Sequence, residues 1–391
     1  MLIRGSDILS TVNEYYFSTK LRQVAALERQ GKEIINLGVG NPSDNPHTSV
    51  IETLKIWADR PVHGYQSYKG SDELLEAMEL WYKRFFGIEL KGDENFLPLF
   101  GSKEGINYVV HAFVNPGEEV LVPDPGYPAY RSVALLYGAK VKKYDLTEEN
   151  DFYPDFDQLE ELISPATKLI FVNYPNMPTG TKAHKQVFDR FVDIALRHKV
   201  LLVHDNPYSF LQDDQLSIFS VPRAMEVAIE LNSLSKSHNM AGWRIGMAVG
   251  LREYIDNLLV IKSNANTGYF FPVQKAVIRA LYLDKEWYDN LRKKYSQKRL
   301  LAEEKLSEMG FTVPVGQAGM FVWARVPSVF VSGVEASDYF LERSGVFITP
   351  GRVFGKNGDK YVRVSLSVDF PVLKLALERM FFSMNKLKNP G

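Results

Sequence analysis

Short apolar runs alternate with longer segments of helical periodicity through the middle of the chain, and this alternation strongly constrains the fold. The runs at 119–124, 168–174, 200–205, 227–234 and 246–250 each end in polar or turn-forming residues. Helical patterns such as the one at 185–199 lie between the first four. Strands that are joined by helices in this way lie parallel in one sheet, and the helices cover both faces. The sequence therefore predicts an α/β domain with a mainly parallel sheet.

The C-terminal part of the chain has a different pattern. A long amphipathic helix is predicted at 287–310, with Gly310 as its stop. Alternating runs follow at 320–327, 346–351 and 361–368, and this arrangement is typical of a smaller α+β domain. We expect three regions, which are an N-terminal segment that contributes to the small domain (1–44), a large domain (45–280) and the small domain itself (281–391).

Composition limits the functional classes. The chain has 391 residues, a net charge of −1 and no cysteine, so disulfides, thiolate nucleophiles and zinc–thiolate sites are excluded. Its seven histidines show no metal-ligand spacing, and we expect no metal. The balanced charge does not favour nucleic acid or a membrane surface as a partner. The N-terminus lacks a signal-peptide pattern, and no apolar stretch reaches the length of a membrane span. We expect a cytoplasmic protein.

Ligands of parallel sheets bind at the carboxyl ends of the strands, where this chain places chemically informative residues. Asp205 ends the run at 200–205, Tyr208 follows three residues later, and Lys236 follows the next run. Pyridoxal phosphate chemistry needs a lysine that forms a Schiff base and a carboxylate that keeps the ring nitrogen protonated. Each residue alone has an ordinary alternative, a solvated lysine or an Asp-x-Pro turn. Their ordered combination favours a cofactor site.

A phosphate group needs its own donors, and two further segments offer them. Ser102 and Lys103 open a predicted helix, whose free N–H groups and dipole can hold an anion. Ser233 and Ser235 add hydroxyl groups, and Arg244 adds a planar charged fork. The alternative for the first segment is a simple N-capped helix with a solvated lysine.

An aromatic residue is presented by a turn at 123–131, which reads "PDPGYPAYR". Tyr127 follows the Pro-Gly pair there, and its ring could stack on a flat cofactor. The alternative is a tyrosine of the core or of the turn. The other motifs favour the stacking interpretation.

Taken together, these motifs resemble the fold-type-I, pyridoxal-phosphate-dependent aminotransferases of class I/II. The similarity is greatest to the diaminopimelate and LL-diaminopimelate aminotransferase branch. It implies a seven-stranded, mainly parallel sheet between helices, a smaller α+β domain, a homodimer and ping-pong transfer of an amino group. The substrates would be an L-amino acid and a 2-oxo acid, with glutamate and 2-oxoglutarate as one pair. The segments that carry the resemblance are "INLGVGNPSD", "YQSYKGSDELLEAM", "GSKEGI", "DPGYPAY", "NYPNMPTG", "HDNPY", "SLSKSHNMAGWRIG", "GMFVWARVP" and "YVRVSLS".

The resemblance also implies roles for individual residues around the cofactor. Lys236 would be the Schiff-base lysine, Asp205 would pair with the ring nitrogen, and Tyr208 would bond the cofactor's O3′. Tyr127 would stack on the ring, and Tyr65 would reach the phosphate in the partner subunit's site. The phosphate would also be held by Ser102, Lys103, Ser233, Ser235 and Arg244.

Four residues would face the substrate on the same grounds. Arg363 in "YVRVSLS" resembles the arginine that grips the α-carboxylate, and Gly40 provides the backbone beside it. Tyr15 resembles an N-terminal tyrosine that helps to bind substrate in the diaminopimelate branch. Asn266, in "SNANTGYFFPVQ", is the fourth.

One position departs from the family pattern. Met177 stands where the family has an asparagine that bonds O3′, and a methionine cannot donate that bond. The imine pKa and the reaction type are therefore open. The alternatives are a C–S lyase or a decarboxylase on the same fold and, with less support, a non-catalytic effector-binding module.

Overall fold

The computed structural model describes residues 3–388, which form two β-sheets and their covering helices. All five strands predicted between 119 and 250, and the three predicted C-terminal strands, are present. The strands are β1 (Ile35–Leu37), β2 (Phe96–Leu99), β3 (Glu119–Asp124), β4 (Lys140–Asp145), β5 (Thr167–Val172), β6 (Leu201–Asp205), β7 (Ala228–Ser233), β8 (Gly246–Gly250), β9 (Phe321–Arg325), β10 (Val346–Pro350) and β11 (Tyr361–Ser365).

Several helices begin or end at residues with clear capping roles. In the helix at 72–86, for example, the Ser71 hydroxyl accepts a hydrogen bond from Leu74 N, and Gly87 ends the helix in the left-handed region. The helices are α1 (Tyr16–Arg29), α2 (Thr48–Ala58), α3 (Asp72–Phe86), α4 (Gly92–Asn95), α5 (Ser102–Phe113), α6 (Pro128–Leu136), α7 (Phe156–Glu161), α8 (Lys185–His198), α9 (Leu234–Ser237), α10 (Arg252–Ala265), α11 (Phe271–Leu281), α12 (Lys285–Glu308), α13 (Gly333–Ser344) and α14 (Phe370–Lys388).

The larger sheet has seven strands in the order β2-β8-β7-β6-β5-β3-β4. The neighbours from β7 to β4 pair in parallel, whereas β8 runs antiparallel to both β7 and β2. The prediction of a mainly parallel α/β sheet is therefore confirmed. The carboxyl ends of β3, β5, β6 and β7 meet along one edge of the sheet, which is where a ligand site is expected.

The two edge strands of this sheet have no clear strand pattern in the sequence. β4 carries the lysines Lys140, Lys142 and Lys143, and charged side chains are tolerated where one side of a strand has no partner. β2 contains Pro98, which cannot donate to a ladder and therefore suits an edge position. From the sequence alone, without knowledge of their edge positions, both segments would be predicted as loops.

Successive residues of each central strand point into separate cores. In β6, Leu202 packs with Phe188 and Phe191 of α8, whereas Val203 packs with side chains of α5, α6 and α10 on the opposite face. Both cores are fully buried, which explains why the strands read as continuous apolar runs.

The smaller sheet has the order β1-β10-β11-β9 and takes its first strand from the N-terminal part of the chain. β1 pairs in parallel with β10, and the other pairs are antiparallel. The domain boundaries at 44/45 and 280/281 stay a prediction. Within residues 3–388, no helix is both long enough and apolar enough to cross a membrane.

A buried carboxylate joins the two sheets. Asp124, at the end of β3, is 2% exposed, and its Oδ2 accepts hydrogen bonds from Lys143 Nζ at 2.7 Å and from Lys356 N at 3.1 Å. Its Oδ1 accepts from Asn357 N at 3.1 Å. Gly355 lies against this carboxylate with a φ of 149°, and a Cβ there would collide with Asp124 Oδ1.

We expect Gly355→Ala to destabilise the protein by about 2–5 kcal/mol, since alanine is strained at this φ and its methyl group would displace Asp124. Urea unfolding followed by circular dichroism measures the loss. Gly316→Ala is the matched control, because Gly316 has a φ of +80° but no atom within 4 Å of the added Cβ. The control should lose about 1–2 kcal/mol. Equal losses in the two variants would contradict the packing argument.

Candidate active site

A cavity of about 270 Å³ opens at the carboxyl ends of β5, β6 and β7, between the two sheets. It is lined by residues from both sheets and from the segment that precedes α1. Twelve of the fourteen residues predicted for the site line this cavity, and they are Tyr15, Gly40, Ser102, Lys103, Tyr127, Asp205, Tyr208, Ser233, Ser235, Lys236, Arg244 and Arg363.

Lys236 projects into the cavity from α9, a single turn that follows β7. The hydroxyl of Ser233 caps this turn by accepting from Ser235 N at 3.2 Å. The Nζ of Lys236 donates a hydrogen bond to Gly40 O, so the loop after β1 reaches the lysine. Burial, together with the positive charges of Arg363 and Arg244, lowers the pKa of Lys236 to about 8. A substantial fraction of the amine is therefore neutral and nucleophilic near neutral pH.

Asp205 lies at the end of β6 and is 4% exposed. Its Oδ2 accepts a hydrogen bond from the Tyr130 hydroxyl at 2.8 Å, whereas its Oδ1 is buried and has no partner among the described residues. Burial raises the pKa of Asp205 to about 6, although hydrogen bonds from Tyr130 and Ser102 and the charge of His204 oppose the shift. A buried carboxylate with a free oxygen is suited to pair with a cationic N–H group.

Several hydrogen-bond donors that could bind an anion lie together in one corner of the cavity. α5 begins at Ser102, after Gly101 with a φ of +82°, and a Cβ at Gly101 would collide with the Arg244 guanidinium. Glycine at this position therefore lets Arg244 lie against the N-terminus of α5. The hydroxyls of Ser233 and Ser235, 2.9 Å apart, line the same cavity. Helix N–H groups, two hydroxyls and a guanidinium together can hold a phosphate.

Arg363 occupies the floor of the cavity from β11 and is 4% exposed. Its guanidinium carbon lies 3.9 Å from the ring centroid of Phe321 and 4.7 Å from that of Phe354. Its Nη2 donates to Gly38 O at 2.7 Å, and its Nε has no partner within the described part of the chain. Burial lowers the pKa of Arg363 to about 10, so the group stays charged at neutral pH. This unpaired cation is suited to a carboxylate ligand.

Tyrosines form another wall of the cavity. Tyr127 follows the turn at the end of β3, and Tyr15 comes from the segment before α1. Burial raises the pKa of Tyr127 well above its ordinary range, and the nearby Tyr15 and Asp205 act in the same direction. Tyr208 is 9% exposed, and burial raises its pKa as well. All three phenols therefore act as hydrogen-bond donors and acceptors rather than as bases at neutral pH.

Met177 also lines the cavity, and its thioether lies against Arg363. Arg363 Nη1 donates to Met177 Sδ at 3.1 Å. The neighbouring amide, Asn176, is held by Thr179 and Asn173, and it is absent from the cavity lining. Asn176 therefore does not replace the asparagine that the family places at position 177.

The two remaining predicted residues lie outside the cavity of the single chain. The Tyr65 side chain is 96% exposed. The Asn266 amide follows α10 and donates to Glu104 Oε1 at 2.8 Å. Their roles in cofactor and substrate binding stay predictions.

Several lining residues were not identified from the sequence. Tyr130 was missed although it follows Tyr127 by three residues, a spacing that places both on the first turn of α6. Asn173 donates to Asp205 O at 2.7 Å and accepts from Met177 N at 2.8 Å, and its place one residue after β5 was an available signal. Phe17 and Phe321 had no such signal, because they reach the cavity only through tertiary packing.

The residues of this cavity fit pyridoxal phosphate. Five charged side chains line it, and four of them are cations: Lys103, Lys236, Arg244 and Arg363 against Asp205. This excess favours a dianionic phosphate together with a carboxylate. The free Oδ1 of Asp205 suits the ring nitrogen, and Lys236 suits the aldehyde. Among the described residues, no group of three or more His, Asp or Glu side chains could hold a metal ion.

Comparison with known proteins agrees with this fit. The family model "Aminotransferase class I and II" matches residues 32–380. An LL-diaminopimelate aminotransferase of Halothermothrix orenii is 38% identical over 99% of this chain and 100% of its own length. One of Oleidesulfovibrio alaskensis is 40% identical over 96% of this chain and 98% of its own.

A solved structure has the same architecture. The structure described as apo-BacF from Bacillus subtilis superimposes with a TM-score of 0.93 at 32% identity and covers 98% of both chains. Both the sequence match and the fold extend over almost the whole chain. The chain is therefore a pyridoxal-phosphate-dependent enzyme and belongs to the class I and II aminotransferases.

Proposed function

We propose that this aminotransferase takes the amino group of LL-diaminopimelate and transfers it to 2-oxoglutarate. Both molecules carry two carboxylates, and the cavity offers a cation for each end. The relatives that are 38–40% identical over nearly the whole chain are named for the first of these substrates. The arrangement of the two cations is the structural observation that carries the proposal.

Arg363 and Lys103 are these two cations, and aromatic rings lie between them. Arg363 lies 5.4 Å from the ring centroid of Phe17, Lys103 Nζ lies 4.7 Å from that of Tyr15, and the two rings are 5.5 Å apart. Lys103 forms no salt bridge within residues 3–388, and burial beside Arg244 lowers its pKa. We assign the α-carboxylate to Arg363 and the distal carboxylate to Lys103. The rings between them would contact the aliphatic part of the substrate.

The roles of the catalytic residues follow from their positions. Bound pyridoxal phosphate supplies an aldehyde that condenses with amines and a ring that withdraws electrons from the substrate's α-carbon. Lys236 Nζ would hold the cofactor through its aldehyde and, when its amine is free, would take the α-proton as a general base and deliver it to the former aldehyde carbon as a general acid. Its lowered pKa keeps part of the amine neutral for this task. The buried, unpartnered Oδ1 of Asp205 would accept a hydrogen bond from the ring nitrogen and keep that nitrogen protonated.

Other residues fix the geometry of the reacting groups. Tyr127 would cover one face of the ring, and Tyr208 would donate to O3′ without help from an asparagine at position 177. Arg363 fixes the plane of the substrate by a bidentate bond to its α-carboxylate. The aromatic rings around Arg363 exclude water from this bond and strengthen it.

A donor panel tests the proposal. The enzyme is saturated with pyridoxal phosphate and assayed for glutamate formation from 2-oxoglutarate with LL-diaminopimelate, L-aspartate, L-alanine or L-phenylalanine. We expect LL-diaminopimelate to give the highest kcat/KM, by about tenfold or more, since each additional charged hydrogen bond contributes about 1.5–3 kcal/mol. A higher kcat/KM for alanine or phenylalanine would contradict the assignment.

We expect Lys103→Met to lower kcat/KM for LL-diaminopimelate by about 10- to 100-fold, because the distal carboxylate loses its charged partner. The value for alanine, which has no distal carboxylate, is the internal control and should stay within about twofold of the wild type. The backbone of residue 103 is unchanged, so its N–H remains available to the phosphate. An equal loss with both donors would show that the side chain serves the cofactor instead.

We further propose that the enzyme is a homodimer whose sites lie at the interface. Tyr65 is 96% exposed in the single chain, Ile56 is 57% and Phe270 43% exposed, and the backbone of residues 66–67 packs against Gly268. An apolar and aromatic surface of this kind is typical of a subunit contact. Light scattering should give twice the mass of one chain. The cytoplasmic location stays a prediction.

Complementation between subunits tests the role of Tyr65. Tyr65→Ala and Lys236→Ala homodimers should each lose most activity. Mixed dimers should regain about a quarter to a half of the wild-type activity, because one site then combines an intact Lys236 with the partner's intact Tyr65. The mixture is compared with equal amounts of each variant kept separate. No recovery in verified mixed dimers would place Tyr65 outside the partner's site.

A further inference from the structure

A buried polar cluster lies beside the site but does not line the cavity. It consists of His204 on β6, Glu230 on β7 and Tyr82 on α3, each 0% exposed. His204 and Glu230 are direct neighbours in the parallel register of β6 and β7. The roles assigned above leave these three residues without a function. Burial of ionisable groups is energetically unfavourable unless they have partners, so the presence of these three residues calls for a structural or functional reason.

The hydrogen bonds of His204 indicate which of its ring nitrogens carry protons. Its Nε2 lies 3.0 Å from Tyr174 O, and its Nδ1 lies 2.8 Å from Glu230 Oε2. A backbone carbonyl only accepts, so Nε2 carries a proton. Nδ1 also carries one if Glu230 is ionised, and the ring is then an imidazolium.

The hydrogen-bond partners of Glu230 favour its ionised form. Its Oε1 accepts from the Tyr82 hydroxyl at 2.7 Å, and its Oε2 accepts from Ile218 N at 3.1 Å in addition to His204. The Tyr82 oxygen itself accepts from Asn232 Nδ2 at 3.3 Å, so its own proton points to Glu230. Burial and the charge of Glu230 raise the pKa of Tyr82 well above its ordinary range. Three donors directed at one carboxyl group favour the carboxylate.

His204 directly precedes Asp205, whose carboxylate lines the cavity. His204 and Asp205 are successive residues of β6, so their side chains point to opposite faces of the sheet. We propose that His204 is a positioning residue whose buried positive charge, held by Glu230 and Tyr174 O, keeps Asp205 ionised for pairing with the cofactor's ring nitrogen. The proposal deepens the function proposed above and rests on the role of Asp205 in it.

Among the groups around Asp205, His204 is the source of the positive charge that acts on this carboxylate. Burial raises the pKa of Asp205, and the charge of His204 lowers it. Three phenols with raised pKa values, Tyr127, Tyr130 and Tyr208, face Asp205 from other elements. The same cavity also contains four cations, which do not contribute to the shift in the pKa of Asp205: Lys103, Lys236, Arg244 and Arg363. On the other face, α8 presents the Phe188 ring, 4.7 Å from the ring centroid of His204.

The first test measures the protons on His204 itself. In the holoenzyme labelled with ¹⁵N-histidine, the ring nitrogen shifts of the seven histidines are followed as the pH is raised. We expect one histidine, assigned to His204, to carry protons on both ring nitrogens at neutral pH. A neutral His204 ring at neutral pH would overturn the proposal. This measurement needs no variant and therefore does not depend on the folding of one.

The second test compares His204→Gln with Tyr82→Phe. The dissociation constant of pyridoxal phosphate is measured against pH, and its midpoint reports the titration of Asp205. We expect His204→Gln, which removes the charge, to raise the midpoint by about one pH unit. Tyr82→Phe, which leaves the imidazolium in place, should shift it far less. An unchanged midpoint in folded His204→Gln would overturn the proposal. If the midpoint instead persists in Asp205→Asn, the assigned role of Asp205 fails.

Discussion

Replacing Lys236 by alanine is expected to lower kcat by about 10⁴-fold or more, because the variant loses both the amine that holds the cofactor and the group that moves the α-proton. The loss is measured as glutamate formation from LL-diaminopimelate and 2-oxoglutarate. Borohydride reduction followed by mass spectrometry should fix the cofactor to the peptide that contains Lys236 in the wild type and to no peptide in the variant.

Lys236→Arg is the matched control, because it keeps the positive charge but cannot form the covalent link. It should lose as much activity as the alanine variant, and activity retained in it would contradict the assignment. The lysine's own titration gives a second readout. Since the pKa of Lys236 is about 8, the rate at which pyridoxal phosphate attaches to the cofactor-free protein should rise as the pH passes through this value.

Asp205→Asn is expected to have the second-largest effect. Loss of one partner of a buried charge pair costs about 2–5 kcal/mol, which corresponds to a fall in kcat/KM of about 30- to 5,000-fold. The asparagine has nearly the same shape, so the cavity should be preserved. Asp213→Asn is the control, because Asp213 is exposed and pairs only with Lys182 at 3.8 Å. A comparable loss in the control, or none in Asp205→Asn, would contradict the role given to Asp205.

The same residue gives a pH dependence with a defined sign. The pKa of Asp205 is raised to about 6 in the protein without cofactor. Above that pH the carboxylate is charged and can pair with a protonated ring nitrogen, whereas below it the neutral carboxyl group cannot. The affinity for pyridoxal phosphate should therefore fall as the pH is lowered through about 6. Asp205→Asn should abolish this dependence.

The central part of the fold was predictable from the sequence because buried parallel strands are continuous apolar runs. The edge strands were not predictable in this way. β4 carries three lysines and β2 contains Pro98, and both features become favourable only where one side of a strand has no partner. The pairing of β1 with β10 links residues that are about 300 positions apart, and local pattern does not report such contacts.

The site residues divide in the same way, into those with a local sequence signal and those without one. Residues at strand ends and helix starts, such as Asp205, Lys236 and Ser102, have a local signal and line the cavity. The Phe321 ring under Arg363 and the contact of Arg363 with Met177 arise from packing between distant segments and have none. Tyr65 lies outside the cavity of the single chain, and its proposed role in a partner's site stays a prediction.

The most direct test of the proposed reaction is a half-reaction without acceptor. One equivalent of LL-diaminopimelate is added to the holoenzyme, and the absorption of the cofactor and the released products are measured. We expect the cofactor's band to disappear with one equivalent of 2-oxo product and no free ammonia, and 2-oxoglutarate then to restore the band with one equivalent of glutamate. An unchanged band, or ammonia released without an acceptor, would contradict the account.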